Sequence, residues 1–277
     1  MSDNNIFIEG FLMSPMKSGS TWISKVISQH NDVCLLQYPT LNFENNTIES
    51  EISNSKLTSI VLARANMKLD KRIARIHYKH NKDMKYIVIL RNPIDRTFSH
   101  FGHYVNKEKR INWKRYATSG KAIETILHPL SIDIKKMEFD INTDIINRKD
   151  NYYSFQPGWV SKSLYYDALN SFYTLFPQKN FLIVHFDDLS KNPFGIYRDV
   201  CEFIGVNYSN DIKFLDKVVN KRKKRNSLMD IVKGRRVYKF TKMTDETVSF
   251  LSKLYEDDVN KLSALIDEDF VGKWLLR

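Results

Sequence analysis

The sequence predicts an α/β fold with three layers, α/β/α, around a central and mainly parallel sheet. Three observations carry this expectation. Tyr86-Ile87-Val88-Ile89-Leu90 and Phe181-Leu182-Ile183-Val184-His185-Phe186 are short apolar runs, the pattern of strands buried on both faces. Each run is followed by a stretch with helical spacing, and strands alternating with helices favour parallel pairing. A third such unit lies near the N-terminus, where Phe11-Leu12-Met13 leads through a short polar loop to Trp22, Ile23, Val26 and Ile27.

In chain order, residues 10–14 read as a strand and 21–29 as the helix after it. From Val33 to Ser55 the pattern weakens, with frequent Asn, Thr and Ser and a turn at Tyr38-Pro39. Residues 57–75 carry Leu57, Ile60, Val61, Ala65, Leu69 and Ile73 at spacing compatible with a helix. After the strand ending at Leu90, a helical pattern begins at Asp95 and runs through Phe98 and Phe101. Residues 106–157 hold helical fragments and a polar tract ending at Gln156-Pro157-Gly158. Leu164, Tyr165, Ala168, Leu169, Phe172 and Phe176 then form one helical face. Asn192-Pro193 reads as an N-cap and first helical residue, with Gly205 closing that helix. A last helix starts near Thr244, with Asp245 and Glu246 in its first turn. Glycine is scarce, at nine residues, and no repeat or low-complexity linker occurs, so a single domain over residues 1–277 is expected.

Composition narrows the function classes. The hydrophobic fraction of 42%, with 17 Phe and 14 Tyr, is enough to fill a sizeable core. Cys34 lies in an apolar run and Cys201 on an amphipathic helix, which favours two buried thiols over a disulfide and hence a reducing compartment. The polar start Met1-Ser2-Asp3-Asn4-Asn5 lacks the pattern of a signal peptide, and no apolar run approaches membrane-spanning length. A cytoplasmic location is the simplest expectation, without a membrane partner. The net charge of +11 is concentrated: residues 217–242 contain eleven Lys or Arg against one acid, Asp230. Such a cluster implies an anionic partner or a solvated basic loop.

Three constellations bear chemistry. The first is Lys17-Ser18-Gly19-Ser20-Thr21-Trp22 between the first strand and its helix. Unpaired N–H groups and the positive dipole end favour an anion there, and Lys17 and the hydroxyls add donors. An ordinary βα turn with good capping residues is the alternative. The loop is not a Walker A sequence, because its Lys precedes the Gly. The second is Arg91-Asn92-Pro93-Ile94-Asp95-Arg96-Thr97-Phe98-Ser99, beyond the carboxyl end of a strand, where ligands of open α/β sheets bind. Arg91 serves an anion there or pairs with Asp95, and Ser99 follows on the helix. The third is Lys233-Gly234-Arg235 within the basic segment, where Gly permits close approach and the cations suit phosphate.

Taken in this order, the three constellations resemble the sulfotransferases that use 3′-phosphoadenosine-5′-phosphosulfate, over most of the chain from Phe11 to about Trp274. Lys17 to Trp22 is similar to that family's Lys-Ser-Gly-Thr-Thr-Trp-like loop, with Ser20 in place of a Thr. Arg91 and Ser99 have the eight-residue separation of its Arg-x-Pro-x-x-Arg-x-x-Ser-like segment. Phe186-Asp187-Asp188-Leu189 through Asn192-Pro193 to Phe203-Ile204-Gly205 looks like its Glu-Asp-Leu…Pro…Phe-Leu-Gly segment. Lys233-Gly234-Arg235, Phe250-Leu251-x-x-x-Tyr255 and Leu262-Ser263-x-Leu265 resemble the heparan-sulfate-type branch. The resemblance implies a P-loop-like sulfotransferase fold and no metal. The 5′-phosphosulfate would lie on residues 17–22 and the 3′-phosphate on Arg91 and Ser99, with Lys233, Gly234 and Arg235 also binding the nucleotide. Trp22 would stack on the adenine or else fill the core.

Lys17 is then the expected catalytic cation, balancing charge on the leaving phosphate. The resemblance places the general base at Glu44, in Tyr38-Pro39-Thr40-Leu41-Asn42-Phe43-Glu44, with Glu49 and Glu51 as alternatives. The small-molecule branch uses a His instead, for which His77, His80, His100 and His103 are available. His100 and His103 lack a third ligand at helical spacing, so metal binding is not expected. Acceptor-lining loops are expected within 38–55 and 106–158. The acceptor is expected to be a small-molecule natural product or a glycan, sulfated on a hydroxyl or on an amine or guanidinium nitrogen. A P-loop kinase or NTPase is the competing enzyme class. A polyanion-binding module using residues 217–242 is the competing non-enzymatic one, though without the repeated aromatics of a nucleic-acid platform.

Overall fold

The computed structural model describes residues 7–37, 40–42, 47–49, 60–66, 71–100, 161–213, 245–266, 271 and 274. The chain forms two compact units, Met1–Arg91 with Tyr165–Lys221, and Asn92–Leu164 with Arg222–Arg277.

The first unit holds a five-stranded parallel sheet. Its strands are β1 (Gly10–Ser14), β2 (Val33–Gln37), β5 (Ile60–Asn66), β6 (Lys85–Leu90) and β7 (Phe181–His185), in the order β2-β5-β1-β6-β7. A separate antiparallel pair joins β3 (Thr40–Asn42) to β4 (Thr47–Glu49). The helices are α1 (Ser20–Ile27), α2 (Lys71–His80), α4 (Tyr166–Tyr173), α5 (Phe186–Lys191) and α6 (Pro193–Ile204).

Alternation along the strands builds the two faces. Leu12, Leu62, Ile87, Ile89 and Val184 turn to one side and pack with Ile23, Val26 and Ile27 of α1 and Tyr197, Val200 and Ile204 of α6. Phe11 and Tyr86 turn to the other. There the Phe11 ring stacks on His77 of α2 with centroids 4.1 Å apart, and Tyr86 meets Phe172 of α4 edge-on at 5.2 Å. Three layers result, as expected, because each central strand is apolar on both faces and a helix must cover each. Gly10 sits on β1 where a Cβ would lie 2.7 Å from the carbonyl oxygen of Lys85, so close pairing with β6 demands glycine.

The helix expected over 57–75 is instead β5 followed by α2. Ile60 to Ala65 is a two-sided strand between β1 and β2, and its apolar run matches helical spacing only by coincidence. The strand β2, hidden in the weak stretch after Val33, forms the sheet edge beside β5. The capping expectation for α6 is met: Asn192 Oδ1 accepts from the Gly195 amide at 3.0 Å, Pro193 opens the helix, and Gly205 closes it at φ 85°. Cys34 and Cys201 are buried and free.

The second unit contains α3, helical over residues 93–100, a 3₁₀ turn at Ser161–Ser163 and α7 (Asp245–Leu265). Asn92 caps α3 by accepting from the amides of Ile94 and Asp95 at 3.0 and 3.3 Å, with Pro93 in the first turn. Arg96 is fully buried and donates to Ser163 Oγ. Thr97 Oγ1 lies 2.9 Å from Ser163 Oγ and 2.7 Å from the Tyr255 hydroxyl, so α7 is tied to α3 by a buried polar chain. Among the described residues no helix is long and apolar enough to cross a membrane.

Candidate functional site

The turn between β1 and α1 is shaped by two left-handed residues, Lys17 at φ 77° and Gly19 at φ 89°. Glycine adopts this conformation freely, whereas it costs a lysine about 1–2 kcal/mol. A Cβ at Gly19 would come within 2.7 Å of Leu189 Cδ1 and 3.1 Å of Phe186 Cδ2, so the turn packs directly on α5. The Ser18 amide closes the turn onto the Pro15 carbonyl at 3.3 Å. Gly19 is the N-cap of α1 and provides no side-chain cap, and the first turn has no acidic residue. The Trp22 amide bonds back to the Gly19 carbonyl at 2.9 Å, and with no side-chain cap or acid this helix start suits an external anion.

Ser18 is the most informative residue of the loop. It is 0% exposed, and its Oγ has no hydrogen-bond partner among the described residues. A buried, unmatched hydroxyl costs about 1–3 kcal/mol, which a ligand oxygen would relieve. Lys17, Ser20 and Thr21 are half-buried around it.

Two arginines attach to this loop from neighbouring strands. Arg91, immediately after β6, donates from Nη1 to the Lys17 carbonyl at 2.9 Å. Its guanidinium lies 4.3 Å from the Phe186 ring centroid, and its own carbonyl accepts from the Tyr165 hydroxyl at 2.8 Å. Arg64 of β5 donates from Nη2 to Ser20 Oγ at 3.0 Å and to Thr21 Oγ1 at 3.3 Å. Sequence reasoning missed Arg64 because its segment was read as a helix. The available signal was a lone charge, with Ala63 and Ala65 on either side, in an otherwise apolar run.

The structure thus brings Lys17, Ser18, Gly19, Ser20, Thr21 and Arg91 together in the first unit. Trp22 is 7% exposed and packs in the apolar cluster with Leu12, Ile23 and Val26. Ser99 is half-buried on α3 of the second unit. Glu44, Glu51, Lys233, Gly234, Arg235 and His103 lie outside the described residues, as do 106–158, the basic segment 217–242, and the 38–55 stretch except for β3 and β4.

The histidines considered as bases in the first unit have structural work. His77 is buried, with Nδ1 3.3 Å from the Tyr86 hydroxyl, and burial holds its pKa down at about 3. His80 Nε2 accepts from the Ile8 amide at 2.8 Å. In the second unit, His100 Nδ1 lies 3.3 Å from Arg96 Nη1. Among the described residues no group of three or more His, Cys, Asp or Glu is arranged to hold a metal ion.

Anion binding at the first βα turn of a parallel sheet defines a broad class of α/β proteins. Within that class, residues 9–266 match the Sulfotransferase domain family, and the chain belongs to it. Sulfotransferase 2A6 of Mus musculus is 20% identical over 163 residues, covering 57% of this chain and 51% of that protein. The Membrane-associated sulfotransferase kil1 of Dictyostelium discoideum is 25% identical over 117 residues, covering 42% of this chain and 21% of that one. The chain therefore matches about half the length, or less, of these curated relatives. A crystal structure of a sulfotransferase from Alicyclobacillus acidocaldarius shares the fold with a TM-score of 0.56 at 19% identity, over 94% of this chain and 95% of that one.

Proposed function

We propose that this protein transfers a sulfuryl group from 3′-phosphoadenosine-5′-phosphosulfate to a small-molecule natural product or a glycan. The acceptor atom is a hydroxyl oxygen or an amine or guanidinium nitrogen. The observation that carries this reading is the buried, unpartnered Ser18 hydroxyl in a loop that ends at an uncapped helix N-terminus. That loop fits an anion, and its Lys-before-Gly order argues against the Walker A arrangement of a kinase or NTPase.

When bound, the donor supplies an activated sulfuryl group on a phosphate leaving group. Lys17 and the loop amides hold the 5′ end and balance charge as it grows on the phosphate oxygen, the form of electrostatic help that favours the transition state. Arg91 and Ser99 bind the 3′-phosphate by the family's spacing, and Lys233, Gly234 and Arg235 contribute to the nucleotide in the same way. Trp22 lies beside the adenine by the family's motif, although most of its ring packs in the core. Glu44 removes the acceptor proton, so that the nucleophile can attack in line. The two free cysteines support a reducing, cytoplasmic setting.

Thermal unfolding with adenosine 3′,5′-bisphosphate, compared with ATP and Mg²⁺, tests the donor. Stabilisation by the bisphosphate is expected, and stabilisation by ATP with Mg²⁺ alone would reject the reading. Incubation with the donor and a panel of alcohols, amines, guanidines and glycans then identifies the acceptor by the gain of one sulfuryl group.

A further inference from the structure

Arg64 lies near the carboxyl end of β5, level with Leu12 of β1 and Gln37 of β2. It bridges the hydroxyls of Ser20 and Thr21 at the start of α1, and its Nη1 donates to Gln37 Oε1 of β2 at 3.4 Å, so its plane is oriented from a helix and a strand. A full positive charge is thereby held against the first turn of α1. That end of a helix is already positive, so an anion bound there gains from the dipole and from the guanidinium together. No acidic residue in that turn offsets it.

Resting on the donor reading above, we propose that Arg64 is a positioning residue that turns Ser20 and Thr21 into dedicated donors for the bound anion. A hydroxyl carries one proton and two lone pairs. Arg64 fills a lone pair on each oxygen, which leaves each O–H to be donated elsewhere, and the charge on the guanidinium strengthens that donation. The arrangement also fixes the rotamers of both side chains before the ligand binds, lowering the ordering cost of binding. Arg64 is thus tuned to the ligand through its neighbours. Its guanidinium need not touch the anion.

Calorimetric titration of adenosine 3′,5′-bisphosphate and, separately, pyrophosphate into the full chain tests this. Arg64→Ala is expected to weaken bisphosphate binding about tenfold, the scale of losing charge-assisted hydrogen bonds. In a Ser20→Ala, Thr21→Val background the same change is expected to cost less than about twofold, because the groups it acts through are gone. Equal losses in both backgrounds would overturn the positioning role, and so would Arg64→Ala binding like the parent. Arg64→Lys keeps the charge without the fork and is expected to recover only part of the loss, whereas full recovery would overturn the bridging argument. Unfolding midpoints for each variant separate these effects from misfolding, and Arg64→Lys remains readable if Arg64→Ala does not fold. A parent protein that binds pyrophosphate but not the bisphosphate would overturn the donor reading alone, with the Arg64 coupling then read from pyrophosphate. Binding of neither ligand would overturn both.

Discussion

Arg91 Nη1 donates to the main-chain oxygen of Lys17 at 2.9 Å, joining the ends of adjacent strands β6 and β1 through one guanidinium. Lys17 sits at φ 77°, a conformation that needs outside support, and this bond supplies it from the strand next door. The face of the same guanidinium rests on Phe186, so one arginine braces both the loop and the start of α5. Half-buried beside the loop, it braces the structure, and in the proposed function it also holds the 3′-phosphate.

Substituting Arg91→Lys should therefore damage two properties together. A lysine provides a point charge and cannot keep the forked, stacked geometry. We expect a stability loss of about 1–3 kcal/mol in urea unfolding and at least about tenfold weaker bisphosphate binding. Unchanged affinity in calorimetry would remove Arg91 from the nucleotide site.

Ser18→Ala should split stability from binding. The hydroxyl is buried without a partner, so deleting it relieves an unmet desolvation cost of about 1–3 kcal/mol in the ligand-free protein. The variant should thus unfold at the same or higher temperature than the parent, yet bind the bisphosphate more weakly. A variant that is less stable and binds normally would show that Ser18 serves the fold alone.

His77 predicts an acid limit to stability. Burial, with a smaller contribution from the nearby His80, lowers its pKa from 6.5 to about 3 in the folded protein. Between those values the unfolded chain holds the proton and the folded chain does not. Stability is therefore fully present above about pH 6.5 and declines as pH falls toward 3. This one group contributes a slope of at most about 1.4 kcal/mol per pH unit. Urea midpoints measured at neutral pH and near pH 5 should fall for the parent and fall less for His77→Phe, which keeps the stack on Phe11. Parallel declines would assign the acid sensitivity to other groups.

Glu44→Gln tests the proposed proton acceptor. A positioned base contributes on the order of 10²–10⁴-fold to rate, so turnover should drop by that order while bisphosphate binding persists. Near-parental turnover would transfer the role to another residue, with Glu49 and Glu51 next to be changed.

The Asn192 cap, the Pro193 start and the Gly205 stop of α6 could be read directly, because capping chemistry is local. The apolar runs of β1, β6 and β7 were readable because a strand buried on both faces leaves a continuous signature. For β5 the same rule misled, since Ile60 to Ala65 also satisfies helical spacing and only its neighbours decide between the two. Arg64 was lost with it. A residue's partner 44 positions away leaves no trace in spacing.

By itself, the sequence determined the class of fold and the composition of the loop proposed to bind the anion. Both depend on short-range rules: alternation of strand and helix, the freedom of glycine, and donors at a helix start. Tertiary structure alone decided that Arg64 and Arg91 converge on that loop, that Ser18 is sealed in with no hydrogen-bond partner among the described residues, and that His77 is kept neutral. Those properties depend on which strands lie side by side. Parallel pairing sets β5 and β6 on either side of β1 across long stretches of chain, and their carboxyl ends deliver both guanidinium groups to one turn.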